Sequence, residues 1–121
     1  MEKPTQYTLT EVVTDEMTAK RIGSAGAKIL STPNMLSLME ACALELAKEY
    51  LEEGMTTVGA EAHVRHLAPT PVGMKVTATA TLREIQGRKM WFDIEVNDEK
   101  GKCGDGWHKR VMVPNKDRSG Q

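Results

Sequence analysis

The stretch from residue 31 to residue 54 constrains the fold more than any other part of this chain. It reads STPNMLSLMEACALELAKEYLEEG and begins with Ser31 and Thr32, two residue types that cap helices. Pro33 suits the first helical position, and Gly54 is typical of a helix end. Between these ends, apolar residues recur at i, i+3, i+4 and i+7 and form two adjacent stripes. The sequence therefore predicts one long helix over 31–54, apolar over more than half its circumference and wrapped by other elements.

Glu40 interrupts the second apolar stripe of this predicted helix. At 100° per residue it projects about 40° from Leu36 and Leu44 and points away from the polar face. Burying a lone charge costs several kcal/mol, so this carboxylate must be paired, protonated or functional. The helix alone leaves two interpretations open. Glu40 is either an edge residue that reaches solvent or pairs with an arginine, or it is a functional carboxylate.

Outside the helix the apolar residues alternate, which is typical of strands that bury one face. Segment 14–30 has no sustained period, and we expect a short helical turn and a loop there. One strand, a loop, a long helix and four antiparallel strands in a meander predict a single α+β domain over 1–121. Its curled antiparallel sheet would wrap the helix, which is the hotdog arrangement. The predicted strands are 6–13, 56–67, 74–85, 89–97 and 102–113.

Composition excludes several classes of protein. The net charge is −1 and aromatic residues make up 4% of the chain, which argues against a nucleic-acid binder and a basic membrane-binding surface. The sequence has no signal-type or transmembrane run, and we expect Cys42 and Cys103 to be reduced, as in a cytoplasmic protein. His63 and His66, three residues apart on a strand, point to opposite faces, so no metal site is expected.

Two longer motifs carry a resemblance to a known family. Thr32 and Glu40 lie in S-T-P-x-M-x-x-L-M-E, and His66 lies in V-R-H-x-A-P-T-P-V-G-M. Glu40 follows Thr32 by eight residues, and His66 follows Glu40 by twenty-six. Together with LREIQGR at 82–88 and G-x-H-x-R at 106–110, this order closely resembles the fluoroacetyl-CoA thioesterase family of hotdog proteins. The likeness runs from about residue 30 to residue 113.

This resemblance implies a homodimeric or tetrameric acyl-CoA thioesterase that hydrolyses a small or medium acyl-CoA thioester without a metal or redox cofactor. Thr32, Glu40 and His66 would be its catalytic trio, and the backbone of Gly59 would contact the thioester. Near neutral pH an imidazole can take a proton from water or from a hydroxyl. The sequence leaves open whether Glu40 orients the imidazole, acts as base or acts as nucleophile.

Arg110 is a candidate contact to the phosphates of coenzyme A, and a solvated strand end is the alternative interpretation. The sequence departs from the family before Thr32, since Gly23 and Gly26 stand where the fluoroacetyl enzyme carries aromatic lid residues. We therefore expect a broader or different acyl group. Two other functions remain open: a non-catalytic acyl-CoA binding or sensing domain, and a hotdog enoyl-CoA hydratase or dehydratase.

Overall fold

The computed structural model describes residues 2–19 and 28–115. All five predicted strands are confirmed to within one residue at each end, and a 3-10 turn lies at Asp15–Met17 inside the segment expected to hold a helical turn. The described elements are β1 (Gln6–Val12), α1 (Thr32–Ala47), β2 (Met55–His66), β3 (Lys75–Gln86), β4 (Lys89–Asp98) and β5 (Gly101–Pro114).

The five strands form one open antiparallel sheet in the order β1-β3-β4-β5-β2, and α1 packs across one face. The predicted four-strand meander is wrong for β2, which pairs with β5 at the far edge instead of with β3. The β2–β3 connection is not a tight turn. Thr70 within it donates a hydrogen bond to Asp98 Oδ2 at 2.7 Å and accepts one from the Leu30 backbone at 2.8 Å. The connection therefore bridges the sheet and the residues that precede α1.

The helix ends earlier than predicted. α1 stops at Ala47, and Lys48–Tyr50 continues as a 3-10 turn. The hydroxyl of Tyr50 donates to the backbone oxygen of Pro4 at 2.7 Å, which fixes this turn beside the N-terminal segment. Gly54, the predicted helix end, has φ +84° and forms the turn into β2.

The core lies between α1 and the sheet. One apolar stripe of the helix is fully buried and consists of Met35, Leu38, Met39, Cys42 and Leu46. Leu36 and Leu44 of the second stripe are only half-buried. One side of α1 is thus left open within a single chain. No helix in the described ranges is long and apolar enough to cross a membrane. The buried helix residues are Met35, Leu38, Met39, Cys42, Ala43, Leu46 and Ala47.

A glycine on β5 lets the helix approach the sheet closely. A Cβ at Gly106 would lie 2.9 Å from the terminal methyl of Met39 and would overlap the backbone oxygen of His63 on β2. Any side chain here would push apart α1, β5 and β2. The inner face of β5 therefore sits directly under the helix that carries Thr32 and Glu40.

Candidate active site

The first turn of α1 separates helix capping from chemistry. Ser31 is the N-cap, and its hydroxyl accepts a hydrogen bond from the Asn34 backbone at 3.1 Å. Thr32, the first helical residue, is therefore not needed as a cap. Its hydroxyl instead lies 2.9 Å from Nδ1 of His66. The structure brings together two of the three predicted catalytic residues.

His66 is the last residue of β2, and the chain after it is held firmly. The backbone amides of Leu67 and Ala68 both donate to the oxygen of Cys103, at 2.8 and 3.1 Å. Burial lowers the pKa of the His66 imidazole, which a contact with the Ala68 backbone only partly offsets. The imidazole is therefore neutral at pH 7, as a general base requires. Its Nε2 is buried and has no hydrogen-bond partner among the described residues.

Thr32 and His66 open into a groove of about 410 Å³. Its other walls are apolar and come from Ile29, before the helix, and from Leu67, Ala68 and Pro69, after β2. A hydroxyl and a neutral imidazole thus lie at the edge of a surface that favours an apolar ligand group.

Glu40 lies elsewhere on the helix. Eight residues at 1.5 Å per residue place it about 12 Å along the axis from Thr32. Its Oε2 lies 3.9 Å from Nε2 of His108, and its side chain is 41% exposed. Within this chain the structure therefore brings Glu40 to His108 and not to His66.

Gly59 belongs to the Glu40 cluster. It lies on β2 next to an irregularity in the pairing with β5. A Cβ at this position would lie 3.4 Å from Oε2 of Glu40 and 3.2 Å from Cε1 of His108. Because glycine has no side chain, the strand backbone beside this carboxylate stays open to a ligand.

Arg110 does not extend into solvent. It is 8% exposed, and its Nε and Nη2 donate to the hydroxyl and backbone oxygen of Thr57 at 2.7 and 3.0 Å. Its Nη1 lies 3.0 Å from Nε2 of the fully buried His108. The guanidinium faces the Glu40 cluster from inside the protein, which does not favour the predicted contact with coenzyme A phosphates. The alternation in G-x-H-x-R indicates that His108 and Arg110 share one strand face, but it does not identify Thr57 as the partner of Arg110.

A larger cavity of about 600 Å³ lies on the opposite face of the sheet. There Arg65 and Lys102 both pair with Asp105 at 2.8 Å, and His63 stacks on Trp107 with ring centroids 6.4 Å apart. Glu95 Oε2 also lies 3.7 Å from Lys102 Nζ, so the two cations face two carboxylates, and we place no chemistry there. In the described part of the chain, no group of three or more His, Cys, Asp or Glu side chains is arranged to hold a metal ion.

Comparison with known proteins shows the family of this chain. The model of the family described as FlK, fluoroacetyl-CoA-specific thioesterase, matches residues 13–116. The chain belongs to this family. A fluoroacetyl-CoA thioesterase from Streptantibioticus cattleyicolor is 34% identical over 86 residues, which are 71% of this chain and 62% of that protein. The matched region thus spans less than two thirds of that relative.

Solved structures of related proteins show the same fold. A point mutant of FlK in complex with fluoroacetate and CoA has a TM-score of 0.86 at 28% identity, with 95% of this chain and 97% of that chain covered. A hot-dog-like protein from Thermanaerovibrio acidaminovorans has a TM-score of 0.85 at 28% identity, with 92% and 82% covered. The open five-stranded sheet with one helix is a hotdog fold, as the sequence predicts.

Proposed function

We propose that this protein is an acyl-CoA thioesterase that hydrolyses a small or medium acyl thioester to the free acid and coenzyme A. The observation that carries the proposal is the 2.9 Å contact between Thr32 Oγ1 and His66 Nδ1 at the edge of an apolar groove. Membership of a family named for thioesterase activity supports it. So do the relatives solved with CoA and with acetyl-CoA.

The reaction needs a nucleophile, a base and donors for the oxyanion. The nucleophile is the Thr32 hydroxyl or a water that this hydroxyl orients, and it gives its proton to Nδ1 of His66. Attack on the thioester carbon forms a tetrahedral intermediate, whose collapse breaks the carbon–sulfur bond and expels coenzyme A, with the proton on His66 passing to the departing sulfur. Where Thr32 is the nucleophile, the acyl group stays on its oxygen as an ester, and a water that the freed imidazole deprotonates then hydrolyses this ester to the acid. Strand backbone at Gly59 lies open to the thioester oxygen, since its position has no side chain. None of these steps calls for a metal or a redox cofactor.

Glu40 completes the site from a second subunit. When Nδ1 of His66 accepts a proton from Thr32, its Nε2 carries a hydrogen that has no acceptor among the described residues. A carboxylate is the natural acceptor, and it stabilises the imidazolium that forms during the reaction. The subunit's own Glu40 is about 12 Å away along the helix. A second copy therefore supplies the carboxylate, and the imidazole turns its Nε2, which is covered within one chain, toward that copy.

The uncovered edge of the sheet favours such a homodimer. Residues 58–63 of β2 are exposed on an edge strand, and Val58 is 47% exposed. Free edges of this kind pair with another chain. Antiparallel pairing of two β2 strands about a two-fold axis brings the Gly59 end of one strand to the His66 end of the other. Thr32 and His66 of one subunit then meet Glu40 and Gly59 of the other, and two such dimers could associate as a tetramer.

The acyl group and the compartment are parts of the same proposal. The groove at Thr32 is walled by Ile29, Leu67 and Pro69 and suits an apolar acyl chain. Gly23 and Gly26 lie outside the described residues, so the expected broader acyl range stays a prediction.

Both cysteines are free and buried, which fits a reducing cytoplasm.

Release of free thiol from a panel of acyl-CoAs, from acetyl to long-chain and aryl, tests the proposal. We expect hydrolysis by the wild type and its collapse in Glu40→Ala and His66→Ala. The matched control is His63→Ala, which removes an imidazole from the outer face of the same strand. If no acyl-CoA in the panel releases thiol but acyl-CoA still binds, the result would instead support the sensing domain. Hydration of enoyl-CoA without thiol release would support the hydratase.

A further inference from the structure

The position of Thr32 is not set by the packing of α1 alone. The first buried apolar side chain of the helix is Met35, three residues later. The backbone amide of Ser31 donates to the oxygen of Met17 at 2.8 Å, but Met17 lies in the 3-10 turn and not in the sheet. The contact between Thr32 and His66 lies at the surface, where one hydrogen bond contributes little to holding two segments together. The separation of Thr32 from His66 therefore depends on the residues before the helix.

Thr70, in the connection from β2 to β3, holds the segment before α1. Its backbone oxygen accepts a hydrogen bond from the Leu30 amide at 2.8 Å, two residues before Thr32. Ile29 and Pro71, the neighbours of these two bonded residues, form an isolated antiparallel bridge beside them. Thr70 and Leu30 are both fully buried, so water does not compete for this backbone hydrogen bond. The chain before Thr32 therefore follows the position of the Thr70 backbone.

The hydroxyl of Thr70 holds the same connection to the sheet. It donates to Oδ2 of Asp98 at 2.7 Å, and Oδ1 of Asp98 accepts from the Lys100 backbone at 2.8 Å. Asp98 ends β4, so its carboxylate belongs to the hairpin of β4 and β5. Burial acts to raise the pKa of Asp98, but hydrogen bonds from Thr70 and from the backbone of Lys100 and Gly101 outweigh it and hold this pKa below its ordinary value. The carboxylate is therefore ionised at neutral pH, which strengthens its hydrogen bond with the hydroxyl.

The same hairpin holds the His66 side of the candidate site. The amides of the two residues after His66 donate to the backbone oxygen of Cys103, which lies on β5. The His66 side thus reaches the hairpin through backbone hydrogen bonds that no substitution of a side chain removes. The Thr32 side reaches it through one side-chain hydrogen bond, from Thr70 to Asp98.

We propose that Thr70 and Asp98 are positioning residues, which keep the hydroxyl and the imidazole of the candidate site at hydrogen-bonding distance. The Thr70 side chain is fully buried and acts only through the groups that it bonds. The same link fixes the apolar groove, since Ile29 forms one wall and residues after β2 form the other. The effect on rate rests on the proposed thioesterase function, whereas the effect on the contact between Thr32 and His66 does not.

The direct test observes this contact by ¹⁵N NMR of the His66 imidazole in the full-length protein, with the signal assigned by His66→Gln. Thr70→Val keeps the shape of the buried side chain and removes its hydroxyl. We expect the Nδ1 shift of His66 to move toward the value that it has in Thr32→Val, in which the contact is absent. Nδ1 reports the contact because its shift depends on its hydrogen bond. An unmoved shift in folded Thr70→Val protein would overturn the proposal.

Matched variants separate positioning from a general weakening of the fold. Tyr50→Phe also removes one hydroxyl, whose 2.7 Å hydrogen bond to the backbone oxygen of Pro4 lies beyond the other end of α1. It is expected to leave the His66 shift and kcat unchanged. Thr70→Ser keeps the hydroxyl and is expected to restore both. A Tyr50→Phe protein with the same effect as Thr70→Val, or a Thr70→Ser protein that is equally defective, would overturn the proposal.

Asp98→Ala tests the link from its half-buried end, and serves where Thr70→Val does not fold. It leaves the Thr70 hydroxyl without its acceptor, so the His66 shift is again expected to move toward the value in Thr32→Val. In the double variant the two effects should not add, because both substitutions break one hydrogen bond. A wild-type His66 shift in Asp98→Ala, or additive effects in the double variant, would overturn the proposal.

Kinetics test the consequence for the reaction. In Thr70→Val, kcat on the best acyl-CoA of the panel is expected to fall about tenfold or more, because small displacements of reacting groups are costly, while KM changes by less than about threefold. A rise in KM with an unchanged kcat would overturn the positioning role. A wild type that hydrolyses no acyl-CoA would refute the proposed function, whereas the His66 shift would still decide this inference.

Discussion

Replacing Thr32 by valine removes one hydroxyl and almost nothing else. Valine keeps the shape of the side chain, and Ser31 still caps the helix through the Asn34 backbone. The lost contact to His66 Nδ1 is exposed, so the free energy of unfolding should fall by no more than about 1 kcal/mol. If the hydroxyl attacks or orients the attacking water, kcat/KM should fall about a hundredfold or more.

Ser31→Ala is the matched control one residue away. It removes the cap, in which the Ser31 hydroxyl accepts from the backbone and side-chain nitrogens of Asn34 at 3.1 and 2.7 Å. This should cost about 1 kcal/mol, or roughly 4 °C in Tm, with little loss of rate. Thr32→Ser should retain much of the activity, because it keeps the hydroxyl.

The assay pairs thiol release with denaturant unfolding of the same three proteins. We expect rate and stability to separate: Thr32→Val loses rate and Ser31→Ala loses stability. A Thr32→Val protein that works within about threefold of the wild type would refute a chemical role for the hydroxyl. A fall in kcat/KM that is proportional to the loss of unfolding free energy in both variants would also refute a chemical role for the hydroxyl.

Three further predictions concern the strands and histidines around the site. Gly59→Ala places a methyl group 3.4 Å from Glu40 Oε2. We expect kcat/KM to fall at least about tenfold while the free energy of unfolding changes by about 1 kcal/mol or less. An unchanged kcat/KM would contradict this prediction. The methyl group of Gly106→Ala would overlap the backbone of the neighbouring strand. Denaturant unfolding should show that the free energy of unfolding falls by about 3 kcal/mol or more. A variant as stable as the wild type would show that the strands are not so close. The pKa values of His66 and His108 are lowered, mainly by burial, so the unfolded chain binds more protons below about pH 6.5. Unfolding free energy should therefore fall as pH drops from 7.5 to 5.5, and a flat or opposite trend would contradict the burial of these rings.

The strands were predictable because alternation is a local property. Every second residue is buried from Val76 to Ala80 on β3 and from Met90 to Val96 on β4, and Gly87 with φ +60° makes the turn between the two strands. The position of β2 was not predictable in the same way. Its partner β5 lies far along the chain, and what separates β2 from β3 is a connection fixed through Thr70 and Asp98. Pairing of this kind depends on tertiary contacts that no local pattern contains.

The candidate site shows a similar division. Periodicity correctly placed Glu40 away from the solvated face of α1, where the chain leaves it half-buried. Periodicity did not show that Glu40 lies beside His108. The helical rise of 1.5 Å per residue does predict that Glu40 lies about 12 Å from Thr32 along the helix axis. The Thr32–His66 contact joins residues 34 positions apart and came only through the family resemblance. Arg110 required the structure, because its burial depends on Thr57, 53 residues away.

The most direct test of the central claim mixes two inactive proteins. Glu40→Ala and His66→Ala subunits are combined in equal amounts, unfolded, refolded together and assayed for acyl-CoA hydrolysis. If each site joins Thr32 and His66 of one subunit to Glu40 of the other, half the dimers hold one intact site, and the mixture regains about a quarter of the wild-type rate. A mixture that forms dimers and stays as inactive as either parent would contradict the shared thioesterase site.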